Sequence, residues 1–425
     1  MREMKDSGIE WIGEIPKEWK IDKIKYHLKR NEPKNHGNAI VLSVYRDYGV
    51  IPKDSRDDNH NVTSEDTSKY KYVKKGQLVI NKMKAWQGSL AVSDYNGIVS
   101  PAYFIYDFTD EEYNHKYFHY LVRSCYKEEF KRISGGIREG QWDLSPEAFA
   151  NTLALLPPLV EQKYIANYLD IQCSETDATA EDIQKEISLL EDYKKSVITE
   201  AVTKGLNPDA EMKDSGIEWI GEVPKHWGTI RIGNAFSIRN ERNYLPMEQV
   251  QLLSLYSGKG VFPTGEEGTT NRGNHAQTVA DYKIVKKNDI VVNIILAWMG
   301  SLGISNYNGV VSPAYDVYIP NEEKVVPHYY HYVFRTSGIA NECYRYGRGI
   351  MMMRWRTYSS EFKRIHVPFP PLEEQQQIAD FLDTKCSEID ALIADKKRQR
   401  GILTEYKKSL IYEYVTGKKE VPINE

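Results

Sequence analysis

The stretch LVEQKYIANYLDIQCSETDATAEDIQKEISLLEDYKKSVITEAVTKG, residues 159–205, follows a pair of prolines and decides the architecture of the chain. Its distal part carries apolar residues at alternating steps of four and three, interrupted once by Lys194: Ile183, Ile187, Leu190, Val197 and Ala201. This spacing predicts a helix that packs along a single long partner helix. A helix of about 45 residues would be roughly 65 Å long, too long to bury its apolar stripe against one small domain.

A second stretch with the same design supplies the candidate partner. Residues 372–417, LEEQQQIADFLDTKCSEIDALIADKKRQRGILTEYKKSLIYEYVTG, also follow two prolines and repeat the first stretch at an offset of 213. Its stripe is more polar and reads Ile389, Ile393, Lys396, Arg400, Leu403, Lys407 and Leu410. The matching length, position and start predict that the two helices pair with each other. The alternative is two unrelated amphipathic helices, each lying on its own domain.

The repeat extends well beyond the helices. Residues 4–19 (MKDSGIEWIGEIPKEW) return as residues 212–227 (MKDSGIEWIGEVPKHW), and residues 85–106 return as residues 297–318. The chain is therefore a segment, a domain and a helix, followed by the same three again. A body with two similar halves suits a ligand with local two-fold symmetry, of which duplex DNA is the commonest.

Each half has the pattern of a mixed α/β domain. Residues 73–80 and 290–295 are apolar runs typical of strands, and residues 113–132 and 328–344 are predicted to be helical. Tyr95-Asn96-Gly97 predicts a hairpin turn between strands at 89–93 and 98–106, and Tyr307-Asn308-Gly309 repeats it. Residues 151–156 are predicted to form a last strand, and residues 205–208 (GLNP) mark the boundary between the halves.

Composition limits the class of protein. The 425 residues are enough for two domains, and a net charge of −4 means that any nucleic-acid surface must be local. The four cysteines form no CxxC pair, which predicts a reduced, cytoplasmic protein. The charged N-terminus is not a signal peptide, and the apolar run at 290–299 is too short to span a bilayer, so no membrane contact is expected.

The sequence lacks the usual signatures of catalysis. It contains no GxGxxG after a strand, no HExxH and no phosphate-binding GxxxxGK[ST] loop. His115 and His119 could share one helix face. Only His119 has a matching histidine in the second half, His331, so a structural pair is expected rather than a metal site. Residues 208–213 (PDAEMK) superficially resemble a nuclease motif. In this chain, however, the two acidic residues lie too close together in the sequence to share a metal ion. We therefore expect a protein that binds its ligand rather than an enzyme.

The halves differ in three places, and these are where the two domains are expected to have different functions. These are residues 53–71 against 265–283, 82–84 against 294–296, and 136–142 against 349–356. They are rich in Arg, Lys, Asn and Gln, whose donors match phosphates and base edges. The DNA-binding candidates are Lys82, Lys84, Gln87, Ser134, Arg138, Gln141, Trp142, Asn271, Arg272, Arg348, Arg354 and Arg356. The alternative is that these charged loops are merely solvated.

Three pairs of motifs together make the chain resemble the specificity subunit of type I restriction–modification enzymes over essentially its whole length. They are the MKDSGIEWIGE[IV]PK segments (4–17 and 212–225), the GSL…YNG[IV]VSPAY blocks (88–103 and 300–315) and the PPL.EQ…IA..LD helix starts (157–170 and 370–383). The resemblance implies an α+β fold with two target recognition domains, residues 1–157 and 206–370. These would be separated by a pseudo-two-fold pair of long antiparallel helices, residues 158–205 and 371–425.

The resemblance also implies a function. Each domain, similar to the recognition domain of adenine-N6 DNA methyltransferases, would read one half of an asymmetric, bipartite site in double-stranded DNA. The helices would set the spacer and dock two modification (methyltransferase) subunits, which restriction subunits join. Methyl donor, ATP and Mg²⁺ are expected on those partners, with no cofactor, metal or catalytic residue in this chain. The loops at 134–142 and 347–355 fall where the family has a base-reading loop, although Met351-Met352-Met353 departs from its short polar pattern.

Two other classes of function stay open. The many Tyr and Trp residues would also suit a scaffold whose two domains recognise proteins. A stand-alone nuclease or methyltransferase is the second alternative, and purified chain incubated with DNA, Mg²⁺ and methyl donor would reveal it.

Overall fold

The computed structural model describes residues 2–34, 39–46, 48–55, 66–136, 142–256, 260–265, 278–349 and 355–422. The chain divides into two compact units: the first unit, residues 1–184 with 398–425, and the second unit, residues 185–397. The division falls within both long helices, so each unit contains part of each. None of the described helices has the length and apolar character needed to cross a membrane.

The first 204 residues contain fourteen strands and four α-helices within the described ranges. The strands are β1 (Met4–Asp6), β2 (Glu14–Pro16), β3 (Lys20–Lys23), β4 (Leu28–Arg30), β5 (Leu42–Tyr45), β6 (Gly49–Pro52), β7 (Lys71–Val73), β8 (Leu78–Asn81), β9 (Leu90–Val92), β10 (Gly97–Val99), β11 (Tyr103–Phe108), β12 (Ser134–Gly135), β13 (Asp143–Leu144) and β14 (Leu153–Leu156). The helices are α1 (His115–Cys125), α2 (Lys127–Ile133), α3 (Pro146–Asn151) and α4 (Leu159–Lys204). Short 3-10 helices lie at Ile24–Tyr26, Lys53–Ser55 and Ala85–Gln87.

The rest of the chain repeats this order. Its strands are β15 (Met212–Asp214), β16 (Glu222–Pro224), β17 (Gly228–Arg231), β18 (Phe236–Ile238), β19 (Leu253–Tyr256), β20 (Gly260–Pro263), β21 (Lys283–Val285), β22 (Ile290–Asn293), β23 (Leu302–Ile304), β24 (Gly309–Val311), β25 (Tyr315–Pro320) and β26 (His366–Phe369). Its helices are α5 (Ile232–Ala235), α6 (Pro327–Val333), α7 (Ser337–Tyr346), α8 (Ser359–Phe362) and α9 (Leu372–Val415), with 3-10 helices at Met247–Gln249 and Ala297–Met299.

Each unit is built on a four-stranded antiparallel sheet. The strand order is β4-β11-β8-β9 in the first unit and β18-β25-β22-β23 in the second. The inner strands β8 and β22 are apolar without alternation, because both of their faces are covered. The pairs β14–β3 and β26–β17 close each domain just before a long helix begins. The predicted fold class, two similar mixed α/β domains with two long helices, is confirmed.

The predicted Asn-Gly hairpins are wrong. β9 pairs with β8 and β10 pairs with β7, so the two strands flanking Asn96-Gly97 do not pair with each other. Gly97 lacks the positive φ that a two-residue hairpin turn requires. Glycine is needed there for space, because a Cβ atom would lie 2.5 Å from the carbonyl oxygen of Ile40. The Asn96 side chain accepts a hydrogen bond from the Lys75 amide at 2.9 Å, and Asn308 does the same for Lys287.

Several predicted boundaries also move. The apolar run at 73–80 is two strands separated by a turn in which Gly76 has φ +90°. The single helices predicted at 113–132 and 328–344 are each divided in two, α1 with α2 and α6 with α7. The break in the first unit is the buried Tyr126, whose backbone (φ −103°, ψ 3°) leaves the helical region. The strand predicted from residue 151 begins at Leu153, because Asn151 still belongs to α3.

Within each unit, α4 and α9 run antiparallel. In the second unit Lys194 Nζ lies 2.6 Å from Asp390 and Lys396 pairs with Glu186, so α9 numbers fall as α4 numbers rise. In the first unit Lys407 Nζ lies 2.6 Å from Asp177, and the Tyr414 and Tyr168 rings are 4.7 Å apart. The lysines that interrupt the two apolar stripes therefore reach carboxylates on the other helix. Because these carboxylates are largely exposed, the ion pairs select register more than they stabilise.

The residues predicted to lie on the helix seam are mostly covered. Five are buried (Ile183, Ile187, Ile389, Ile393 and Leu410), and three are partly exposed (Leu190, Val197 and Leu403).

The repeated N-terminal segment attaches each domain to a helix end. Trp19 is fully buried, donates from Nε1 to Glu161 near the start of α4, and packs against Gly417 just past the end of α9. In the second unit Trp227 donates to Glu374 and packs against Gly205 just past the end of α4. Each unit thus contains the beginning of one long helix and the end of the other.

Buried polar side chains complete this attachment. Gln162, with no exposed surface, donates to the carbonyls of Glu112 and Pro157 and accepts from the Asn114 amide. The buried hydroxyl of Tyr117 donates to the carbonyl of Val415, one of the last-turn carbonyls that have no partner within a helix. In the second unit Gln375 and Tyr329 make the corresponding bonds, and these contacts account for the repeated EQ motif.

Candidate nucleic-acid interface

In each unit, two of the segments in which the halves differ meet at one surface. In the first unit the chain leaves β8 through residues 82–84, and the carbonyl of Lys82 accepts from the Leu144 amide at 2.9 Å. In the second unit the carbonyl of Ile294 accepts from the Thr357 amide at 2.8 Å. Residues just beyond the loops at 136–142 and 349–356 are therefore fixed to the end of the central strand. We call the surface formed by residues 82–87, 142–144 and the end of α2 the first candidate surface. The second candidate surface is formed by residues 294–299, 355–358 and the end of α7.

Aromatic side chains cluster at each candidate surface. Trp86 and Trp142 lie with their ring centroids 5.6 Å apart, and Trp86 Nε1 donates to the Met83 carbonyl at 3.0 Å. In the second unit Tyr344 lies 6.0 Å from Trp298 and stacks on Trp355 at 5.2 Å. Trp142 was a predicted site residue, whereas the supporting role of the other rings is visible only once the chain has folded.

Three arginines of these surfaces are exposed, and the carboxylates with which they pair are largely covered. Arg132 pairs with Glu129 at 2.6 Å, and their side chains are 70% and 7% exposed. The pair Arg345 and Glu342 repeats this arrangement at 2.9 Å, with 56% and 9% exposed. Burial raises the pKa of the Glu342 carboxyl, in keeping with its covered position. Arg348, 66% exposed, pairs with Glu361, which is 12% exposed.

The structure brings together the predicted site residues that it describes in the first unit. Lys82 pairs with Asp143 at 3.0 Å, Lys84 is exposed, and Gln87 lies in the 3-10 helix next to both. Ser134 lies in β12, which pairs with β13 directly beyond Trp142. Its hydroxyl is buried without a hydrogen-bond partner among the described residues, so it faces inward rather than toward a ligand.

In the second unit Arg348 and Arg356 lie opposite each other. Each donates its backbone amide to the other's carbonyl, at 2.9 and 3.0 Å, which closes the base of the loop. Five of the predicted residues lie outside the described residues: Arg138, Gln141, Asn271, Arg272 and Arg354.

The two histidines on α1 make separate contacts within the first unit. His115 stacks on Phe108 at 4.1 Å, and Nδ1 of the half-buried His119 accepts from the Val92 amide at 3.3 Å. Burial lowers the pKa of His119 to about 3, and the same cause lowers that of His331 to about 3. Both imidazoles are therefore neutral at physiological pH and support the sheet.

One group of potential metal ligands is found among the described residues, away from the candidate surfaces. His27, Asp110 and Glu112 place their ligand atoms within 4.8 Å of one another. Nδ1 of His27 is already 2.9 Å from a carboxylate oxygen of Asp110, which accounts for the arrangement as a hydrogen-bonded pair. No motif in the sequence pointed to these three residues.

Comparison with known proteins defines the class. Residues 224–399 match the type I restriction modification DNA specificity domain. The putative type I restriction enzyme MjaX specificity subunit of Methanocaldococcus jannaschii is 25% identical over 96% of both chains. The MjaVIII specificity subunit of the same organism is 23% identical over 96% of this chain and 94% of its own.

Solved structures share the fold. A chain from work on complex assembly and conformational transition of the type I R-M system has a TM-score of 0.69 at 14% identity, covering 95% of this chain and 99% of its own. The HsdS subunit of Thermoanaerobacter tengcongensis has a TM-score of 0.50 at 14% identity, covering 95% and 98%. The resemblance drawn from the motifs is confirmed: residues 224–399 match the DNA specificity domain, and the chain is similar over 96% of its length to type I restriction enzyme specificity subunits.

Proposed function

We propose that each unit binds double-stranded DNA through its candidate surface and reads one half of an asymmetric, bipartite target. The observation that carries this proposal is the orientation of three ion pairs, in which exposed guanidinium groups lie over largely covered carboxylates in both units. A ligand approaching either surface meets donors and positive charge, although the whole chain has a net charge of −4. Phosphate oxygens are the partners that such groups fit best.

Phosphate contacts and base contacts have different tasks in this proposal. Arg132 and Arg345 stand on helices and would set the position of the duplex without reading its sequence. The loops at 136–142 and 349–356 would supply the base contacts, since they begin and end on the aromatic clusters. A loop held at both ends loses less conformational entropy on binding than a free one.

The chain itself would carry no catalytic step. The described residues of the candidate surfaces include Arg, Lys, Gln and aromatic side chains, which suit binding. In this proposal the methyl donor, ATP and Mg²⁺ are held by the modification and restriction subunits, and a modification subunit flips the base that is methylated. Because few phosphates are neutralised by this chain, tight binding would need the modification subunits to enclose the duplex.

The two long helices would dock two modification subunits at equivalent places. Leu189 and Tyr193 on α4 are 69% and 52% exposed, and their counterparts Ile402 and Tyr406 on α9 are 60% and 50% exposed. Large apolar side chains left exposed at matching positions of an internal repeat suit two copies of one partner. The two helices would also set the length of the unread spacer in the target.

The assembled complex and a randomised duplex library test the DNA proposal. We expect selection to enrich one bipartite motif with two specified halves. Arg132→Gln and Arg345→Gln should weaken binding to all sequences and reduce the slope of log affinity against log salt by about 1 each. Lys195→Gln is the control, because this exposed lysine lies on α4 and pairs only locally with Asp192. Failure to enrich any bipartite motif would leave the protein-binding alternative.

Stoichiometry tests the docking proposal. Leu189→Glu with Tyr193→Ala should remove one modification subunit from the complex, and the matching change at Ile402 and Tyr406 should remove the other. Native mass spectrometry counts the subunits in each case. Loss of both subunits, or of neither, from a single pair of changes would contradict the assignment.

A further inference from the structure

We propose that the second unit reads thymine methyl groups by apolar contact, whereas the first unit reads its half-site through hydrogen bonds. This inference rests on the proposed function and adds to it the kind of base feature that each half of the target must contain. The geometry behind it is an internal contrast between two surfaces of the same fold.

The contrast involves four equivalent positions. In the second unit large apolar or aromatic side chains stand exposed at Leu296 (38%), Met299 (57%), Tyr344 (45%) and Tyr358 (43%). The repeat aligns these positions with polar residues of the first unit, in the order Lys84, Gln87, Lys131 and Ser145. Every position of the set thus changes from polar to apolar, although the backbone elements that carry them are the same.

The four side chains belong to one surface. Leu296 and Met299 border the 3-10 helix that contains Trp298, and the Trp298 ring lies 6.0 Å from that of Tyr344. Tyr358 follows Thr357, whose amide binds the carbonyl of Ile294 and whose hydroxyl binds that of Cys343. The patch therefore adjoins the end of β22 and the end of α7, where the proposed DNA-reading loop begins and ends.

The chemistry of the bases selects the ligand of this patch. In the major groove each base edge presents hydrogen-bonding groups, and thymine alone adds a methyl group. Leu and Met cannot bond to those groups, but they can cover a methyl and remove it from water. Lys and Gln at the same positions of the first unit are donors that match guanine and adenine.

The surroundings favour DNA over a protein as the occupant. Arg345, Arg348 and Arg356 stand exposed beside the patch, and the carboxylates paired with Arg345 and Arg348 are only 9% and 12% exposed. An apolar patch with cationic neighbours fits thymines lying between phosphates. A protein partner would need acidic residues around an apolar centre.

Thymine-to-uracil exchange tests the proposal, because deoxyuridine keeps every hydrogen-bonding group of thymidine and lacks only the methyl. The complete complex is used, first to establish its bipartite target and then to bind duplexes with uracil in one half at a time. We expect each exchange in one half to weaken binding about fourfold, the factor that corresponds to about 0.8 kcal/mol for one buried methyl group. Exchange in the other half should change affinity less than twofold.

Two pairs of variants assign the effect. Leu296→Lys with Met299→Gln, which installs the residues of the first unit, should abolish the preference for thymine over uracil. Lys84→Leu with Gln87→Met is the reciprocal change: it should weaken binding through the first unit and leave the thymine preference in the half-site of the second unit intact. Equal affinity for thymine and uracil in both halves of the unaltered complex would overturn the proposal, as would a target in which neither half contains thymine.

Other outcomes are distinguishable. Loss of modification subunits from the Leu296 and Met299 variant would mean that the patch binds protein, which also overturns the inference. A library selection that enriches no bipartite target refutes the proposed function itself, before any uracil experiment.

Discussion

Replacing Gly417, just beyond α9, by alanine should destabilise the first unit, whereas the same change at Gly401 within α9 should stabilise it. Gly417 has φ +69° just beyond α9, and a Cβ there would lie 2.5 Å from Pro16 and 2.9 Å from Trp19. Gly401 lies within the helix, and a Cβ there would meet nothing within 4 Å. The two substitutions add the same methyl group, so their opposite signs isolate the environment.

The magnitudes follow from backbone and packing costs. An alanine in the left-handed region costs about 1–2 kcal/mol. Moving the buried Pro16 and Trp19 aside adds about 1–3 kcal/mol, so Gly417→Ala should cost about 2–5 kcal/mol in all. Gly401→Ala should gain about 0.5–1 kcal/mol, because alanine loses less backbone entropy in a helix. Gly205→Ala should cost less than Gly417→Ala, since the nearest atom, on Trp227, is 3.1 Å away.

Hydrogen exchange followed by mass spectrometry measures these effects unit by unit. A single unfolding free energy is not well defined for a chain with two units, whereas peptides report local opening free energies. Peptides from residues 1–30 and 398–420 should open more readily in Gly417→Ala and less readily in Gly401→Ala. Unchanged protection in Gly417→Ala would refute the packing of the helix end against the N-terminal segment.

Three further predictions concern pH, assembly and specificity. Burial lowers the pKa of His119 and His331 from 6.5 to about 3, so the unfolded chain binds more protons below pH 6.5. The free energy of unfolding should therefore fall between pH 6.5 and 3, by about 2 kcal/mol per histidine at pH 5. In His119→Gln the urea concentration at half-unfolding should fall less steeply as the pH is lowered. A fragment of residues 1–205 should pair with itself through α4 and read an inverted repeat; sedimentation as a folded monomer would contradict this. Arg138→Ala and Arg354→Ala should each cost about 1–3 kcal/mol and relax one half-site only, whereas a uniform loss over all sequences would indicate phosphate contact.

Sequence and structure agree best where the signal is local. The long helices begin directly after the Pro-Pro pairs, as predicted, because helix starts are properties of neighbouring residues. The helix α4 ends directly before the predicted glycine, whereas α9 ends at Val415, before the predicted bound at residue 425. The hairpin predicted at Asn96-Gly97 was wrong because glycine is required there by the close approach of Ile40, a residue 57 positions away in the chain. No local pattern could reveal that contact.

The candidate site divides in the same way. Lys82, Lys84, Gln87 and Trp142 were singled out by comparing the two halves, and the structure places them on one surface. The outward orientation of Arg132 over Glu129 was missed, although the spacing of three residues on a helix is visible in the sequence. Which member of an ion pair is buried depends on what packs over it, and that is decided by distant residues.

The sequence by itself determined that this protein is a duplicated α/β chain with two long helices, because repetition and periodicity are written in the order of residues. Only the tertiary structure decided that each unit takes the start of one long helix and the end of the other. The same is true of the exposure of Leu296 and Met299 on the second candidate surface, where the first carries Lys84 and Gln87. These features depend on contacts between residues far apart in the chain. Such contacts contribute to stability only when the whole unit packs.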